Sequence, residues 1–120
     1  MTRAVLVVDD SPMSRRLVIK NLPPGLGDDV TQAENGLEAL AALRARPHAV
    51  VLLDLNMPVM DGYQFLEALR GTELPVVIVL SGDVQPRAHE RVLALGARAF
   101  VKKPIRAETL ARVLGDCGLT

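Results

Sequence analysis

Five short runs, four of them strongly apolar, are each followed by a segment of helical periodicity, and this alternation limits what the chain can fold into. The runs are Ala4–Val8, Asp29–Ala33 (the weakest), Ala49–Leu53, Pro75–Leu80 and Arg98–Val101. The helical segments are Met13–Leu22, Gly36–Arg46, Tyr63–Arg70, Pro86–Leu95 and Ala107–Leu114. Strands that alternate with helices imply a parallel sheet covered on both faces. Right-handed crossovers then make an α/β, (βα)5 doubly wound sheet. The unbroken apolar character of Ala49–Leu53 fits a strand buried on both sides. End signals agree: Ser11 is a plausible N-cap, Pro12 a first helical residue, Pro23 and Pro24 a stop. Gly96 and Gly115 are expected to end the last two helices.

A length of 120 residues suits one domain, 1–120, and about half of them are apolar, enough for a core. The 14 basic and 14 acidic residues cancel, so no net field draws the chain to nucleic acid or an anionic membrane. With only Tyr63, Phe65 and Phe100 as aromatics, a base-stacking platform is not expected. A lone Cys117 excludes a disulfide framework and a cysteine zinc site. No apolar run approaches the ~20 residues that span a bilayer, and MTRAVLVVDD is too short in its apolar part for a signal peptide. A soluble, cytoplasmic domain is the expectation.

In such a sheet, ligands bind beyond the carboxyl ends of the strands. Asp9 and Asp10 follow the first strand, Asp54 and Asn56 the third, Ser81, Gly82 and Asp83 the fourth, and Lys102, Lys103 and Pro104 the fifth. Each has an ordinary reading as a cap, a turn or a solvated charge. Four such accidents on one edge of one sheet are improbable. Two like charges ~4 Å apart repel by roughly 4 kcal/mol at an effective dielectric near 20. Three carboxylates therefore persist together only if neutralised. One lysine leaves the group two charges negative, which a divalent cation balances. An all-oxygen donor set favours a hard ion such as Mg²⁺. Asp54 is then placed to act as a nucleophile toward phosphorus, with Lys103 and Ser81 for the other phosphoryl oxygens. The remaining candidates read as ordinary: His48 and His89 as isolated, Met57 and Met60 as loop packing, Cys117 as half-buried, and Arg15 and Arg16 as a solvated helix face.

VLVVDDSPMSR, VVLLDLNMPVMDG, VIVLSGD and AFVKKP, in that order, resemble the signatures of the receiver domain of bacterial response regulators, including single-domain chemotaxis-type regulators. The resemblance spans nearly the whole chain, and no signature position departs from it. It implies a flavodoxin-like sheet of strand order 2-1-3-4-5 and a phosphoacceptor switch. Asp54 then matches the phosphoacceptor, Asp10 the direct Mg²⁺ ligand, Asp9 its partner acting through water, and Asn56 the residue whose backbone carbonyl meets the metal. Ser81 matches the hydroxyl switch residue and Phe100 the aromatic switch residue. Lys103 matches the phosphate-binding lysine, with a cis bond to Pro104, and Asn56 and Asp83 match positions that tune phosphoryl lifetime. The implied donor is a sensor histidine kinase or histidine phosphotransfer protein. The output is a changed surface over the fourth helix, fifth strand and fifth helix, acting on a partner or a fused domain, with a possible phosphorylation-dependent dimer. The resemblance implies no enzyme beyond the domain's own phosphorylation and dephosphorylation, no nucleic acid bound by the domain, and no membrane. Arg87, Arg91, Arg98, Lys102 and Arg106 read either as a mildly basic output face or as scattered surface charge.

Two other classes compete. A Mg²⁺-dependent phosphatase of the haloacid dehalogenase type also uses an aspartate after a strand, but has a second acid two residues on, where this chain has Asn56. A nucleotide-binding module needs a Gly-rich loop, and Val8–Met13 contains no glycine. Whether the domain stands alone or belongs to a longer protein stays open.

Overall fold

The computed structural model describes residues 3–72, 75–82 and 85–120. The elements are β1 (Val5–Val8), α1 (Pro12–Lys20), β2 (Val30–Ala33), α2 (Gly36–Ala45), β3 (Val50–Leu53), α3 (Gly62–Ala68), β4 (Val76–Ser81), α4 (Pro86–Ala94), β5 (Ala99–Lys102) and α5 (Ala107–Asp116). All strand pairs are parallel, and the order is β2-β1-β3-β4-β5. The sheet is therefore the expected doubly wound one.

Side chains on a strand alternate between faces, and the core divides accordingly. Val5, Val7, Val50, Leu52, Ile78 and Leu80 pack with Val18 of α1 and Leu110 and Leu114 of α5. Leu6, Val8, Val51, Leu53, Val77 and Val79 face the other way, against Ala39 of α2, Phe65 and Leu66 of α3 and Val92 of α4. Every residue of β1 and β3 is buried. That is why these strands carry no polar alternation and why polarity begins abruptly at their ends.

Local chemistry sets the helix limits. The Ser11 side chain accepts from the Ser14 N–H, with Pro12 behind it. Asp61 and Gln64 form a reciprocal capping box at α3. At the end of α4, the N–H of Gly96 donates to the Leu93 carbonyl at 3.1 Å and that of Ala97 to Val92 at 3.0 Å, with Gly96 at φ 108°. The same paired closure ends α5, but around Gly118 (φ 77°), where Gly118 bonds Gly115 and Leu119 bonds Leu114. The expectation that Gly115 stops this helix is therefore corrected. A mid-helix glycine costs about 1 kcal/mol, and burial of Leu110, Leu114 and Leu119 carries the helix through it. β4 also runs one residue further than expected, so Ser81 closes the strand and does not follow it.

His48 is buried at the opposite end of the sheet from the carboxylates. Its Nδ1 lies 3.1 Å from the Arg46 carbonyl and its Nε2 3.1 Å from Thr31 Oγ1. A carbonyl only accepts, so Nδ1 carries the hydrogen and Nε2 accepts from the threonine. Burial lowers the imidazole pKa, the Arg46 carbonyl only partly opposing it. A folded pKa below the unfolded one leaves stability unaffected above about pH 6.5 and reduces it as pH falls below that value. Urea unfolding is expected to show a loss of less than ~1 kcal/mol between pH 7.5 and 5.5 that is smaller in His48→Gln. Equal pH dependence in both proteins would show that the imidazole stays uncoupled from folding.

Candidate functional site

Strand register brings the polar residues together. Val8 pairs with Leu53 across β1 and β3, so the next residues along, Asp9 and Asp54, leave the sheet side by side. The Asp54 N–H donates to the Val8 carbonyl at 2.9 Å, and the Asp9 N–H to Ala33 at 3.0 Å. On the other side, Ser81 pairs with Lys102, and the Lys103 N–H donates to the Ser81 carbonyl at 2.9 Å. The lysine that follows β5 is thereby turned back over the mouth of β3. The Lys103–Pro104 peptide bond is cis.

Asp9, Asp10 and Asp54 each offer a carboxylate oxygen, and these oxygens lie within 4.8 Å of one another. Asp9 is buried, Asp54 partly buried and Asp10 exposed. The Lys103 ammonium sits 3.0 Å from Asp9 Oδ2 and 3.6 Å from Asp54 Oδ1. The pKa values of Asp9 and Asp54 are displaced in opposite directions. Burial pushes Asp9 up, but hydrogen bonds from the Ser14 hydroxyl, the Ser11 N–H and Lys103 outweigh it and hold the carboxyl below its ordinary value. Asp54 is held above its ordinary value, chiefly by burial and further by the Asp9 charge, against the pull of Lys103. Of these two carboxyls, Asp54 is the less compensated charge. Its carboxylate is partly buried at the end of β3, beside Asp9, Asp10 and Lys103.

Of the other expected site residues, Ser81, Asn56 and Phe100 are among those described. Ser81 is fully buried at the end of β4. Asn56 is exposed on the loop after β3. In that loop a tight turn closes from the Met60 N–H to the Pro58 carbonyl at 2.7 Å, with Val59 at φ 67°. A β-branched residue is strained there. Met57 and Met60 pack against the core, as expected of loop packing. Phe100 is partly buried, and its ring stacks on His89 of α4 with centroids 5.0 Å apart. Arg91 lies over the Tyr63 ring, 4.0 Å from its centroid. Cys117 is half-buried. Asp83 lies outside the described residues.

Two residues near the site were not foreseen. Arg15, expected on a solvated face with Arg16, is buried at 8% exposure. It donates to the Asp9 backbone carbonyl at 2.6 Å and to Gln32 Oε1 at 2.9 Å. This corrects the expectation. The first turn of α1 points Arg15 back at β1 and β2, where a guanidinium closes the end of the sheet below the carboxylates. Arg16, one residue on, is exposed. Ser14 was not singled out, yet its Oγ accepts from Lys103 Nζ at 3.2 Å. Its only signal in the sequence is its place on the first helical turn after the acidic pair.

Comparison with known proteins meets the geometry at the same point. The family pattern described as the response regulator receiver domain matches residues 5–114. A protein-glutamate methylesterase/protein-glutamine glutaminase of Rhodospirillum rubrum is 40% identical over 83% of this chain, which spans 28% of that relative. The sensor histidine kinase GacS of Pseudomonas protegens is 36% identical over 92% of the chain, which spans 12% of it. Among solved structures, the chemotaxis response regulator CheY4 of Vibrio cholerae superposes with a TM-score of 0.85 at 32% identity, covering 97% of this chain and 98% of that one. The sheet order, the acidic cleft and the matched span together make this chain a member of the response regulator receiver domain family, the phosphoacceptor module of two-component signalling.

Proposed function

We propose that Asp54 is the phosphoacceptor and that this domain takes a phosphoryl group from a phosphohistidine on a sensor histidine kinase or a histidine phosphotransfer protein. The observation that carries this reading is the placement of Asp54 beside Asp9, Asp10 and Lys103 at the mouth of β3. The cleft fits Mg²⁺, because three carboxylates with no nitrogen or sulfur ligand suit a hard divalent ion. Asp10 and Asp54 would hold it directly, Asp9 through water, and Asn56 through its backbone carbonyl. When bound, the ion neutralises charge on the transferring phosphoryl group.

The chain's own residues do the rest. An Asp54 carboxylate oxygen attacks phosphorus in line. The O–P bond forms as the N–P bond breaks, and the electron pair stays on the departing imidazole. Lys103 moves from Asp9 to a phosphoryl oxygen, and the Ser81 hydroxyl donates to another. Phe100 leaves its stack on His89 and turns inward behind Ser81. The surface of α4, β5 and α5 is thereby altered for a partner protein, a fused output domain or a second copy of the domain. Asn56 and Asp83 orient the water that later hydrolyses the acyl phosphate. Beyond these two self-reactions the domain is not an enzyme. The phosphatase alternative lacks its second acid at Asn56. Among the described residues no helix is long and apolar enough to cross a membrane. A cytoplasmic receiver switch over residues 1–120, binding neither nucleic acid nor membrane itself, is the reading we adopt.

Intact mass after incubation with acetyl phosphate and Mg²⁺ tests this. One added phosphoryl group is expected in the wild type, and none with EDTA or in Asp54→Asn. A phosphoryl group that persists in Asp54→Asn would place the acceptor elsewhere. If hydrolysis outruns detection, beryllofluoride binds stably instead; failure of both would remove the receiver mechanism. A phospho-form lasting many hours in Mg²⁺ would rule out water activation by Asn56 and Asp83.

A further inference from the structure

Ser14 stands on the first turn of α1 with its hydroxyl between two groups of opposite charge. Lys103 Nζ donates to Ser14 Oγ at 3.2 Å, and the Ser14 hydroxyl is among the groups that lower the Asp9 pKa. The serine is itself held in place. Its N–H donates to Ser11 Oγ at 3.2 Å, and the Ser11 N–H donates to Asp9 Oδ1 at 2.9 Å. Lys103 therefore has two close oxygens on the α1 side, Asp9 at 3.0 Å and Ser14 at 3.2 Å, while Asp54 is further off at 3.6 Å.

A hydroxyl suits this position for a chemical reason. It donates to a carboxylate and accepts from an ammonium at once, and it adds no charge that would itself attract a cation. A carboxylate here would deepen the negative charge of the cleft. An apolar side chain would leave the ammonium held on this side by Asp9 alone.

We propose that Ser14 is a positioning residue for Lys103: it parks the ammonium on Asp9, so that the lysine must give up both bonds before Asp9 is free to serve a divalent cation. Ser14 thus sets how strongly Lys103 competes with metal for the cleft. This rests on the reading of Asp9, Asp10 and Asp54 as a Mg²⁺ site.

The test is a Mg²⁺ titration followed by the backbone amide shifts around Asp54. It is run on the wild type, Ser14→Ala, Ser14→Thr, Lys103→Met and the double variant Ser14→Ala/Lys103→Met. Ser14→Ala is expected to bind Mg²⁺ about three- to fivefold more tightly, the effect of losing one part-exposed charge-assisted hydrogen bond. Ser14→Thr keeps the hydroxyl and is expected to match the wild type. In the Lys103→Met background the Ser14→Ala effect is expected to vanish, because the serine acts through the lysine. An unchanged affinity in Ser14→Ala overturns the proposal, as does an effect of equal size without Lys103, which would place the action on Asp9 alone. A wild type that takes up no Mg²⁺ at millimolar concentration would instead overturn the metal site itself, a separate failure.

Discussion

Lys103→Met is expected to slow phosphorylation by acetyl phosphate by at least ~100-fold while binding Mg²⁺ about tenfold more tightly. The two effects have opposite signs because the lysine has two roles. In the resting protein its ammonium lies on Asp9 and near Asp54, where it competes with a cation for carboxylate oxygens. In phosphoryl transfer it neutralises charge on the moving group, and nothing else among the described residues near Asp54 replaces it. The metal-free variant is also expected to be less stable at neutral pH. Lys103 holds down the pKa of both Asp9 and Asp54, so its loss raises both folded values. A raised folded carboxyl pKa lowers stability above that pKa and returns it as pH falls through it. The variant's deficit should therefore shrink on acidification, as urea unfolding at several pH values would show. A rate within a factor of two of the wild type would mean that Lys103 does not meet the phosphoryl group.

Gly62→Ala is expected to cost about 2–3 kcal/mol, roughly 10 °C in Tm, and to impair phosphorylation as well. Gly62 opens α3, and its N–H donates to the Leu55 carbonyl at 2.9 Å. A Cβ there would lie 2.6 Å from the Asp54 backbone oxygen and 2.9 Å from Leu55 Cα. These are backbone atoms at the end of a buried strand, so they yield only if Asp54 moves. Gly27→Ala is the matched control. A Cβ at Gly27 meets nothing within 4 Å, and its thermal midpoint is expected to stay close to the wild type. Equal melting of both variants would show that the α3 start relaxes without disturbing the phosphoacceptor.

The extent to which the chain was readable differs from element to element. β1 and β3 were plain because strands buried on both faces must be apolar throughout, but that same uniformity leaves their register to the structure. Once Val8 and Leu53 are level, Asp9 and Asp54 have to emerge together. The α4 end was plain because a left-handed C′ position needs glycine. Gly115 misled because the same residue type also fits inside a helix. Which of Gly115 and Gly118 ends α5 depends on where Leu119 is buried, and that is a tertiary fact.

Sequence alone determined the alternation of strands and helices, the edge on which the carboxylates gather, and the likeness to receiver domains, because these depend on periodicity, strand ends and order along the chain. Tertiary structure alone decided that Arg15 is buried while Arg16 is not, that the pKa values of Asp9 and Asp54 are displaced in opposite directions, and that Lys103 rests on Asp9 and Ser14. Those outcomes depend on which side chain the turn of a helix aims at a strand end, and on distances of a few ångströms between groups far apart in the chain. Electrostatic energies change steeply over such distances, whereas the order of residues carries no record of them.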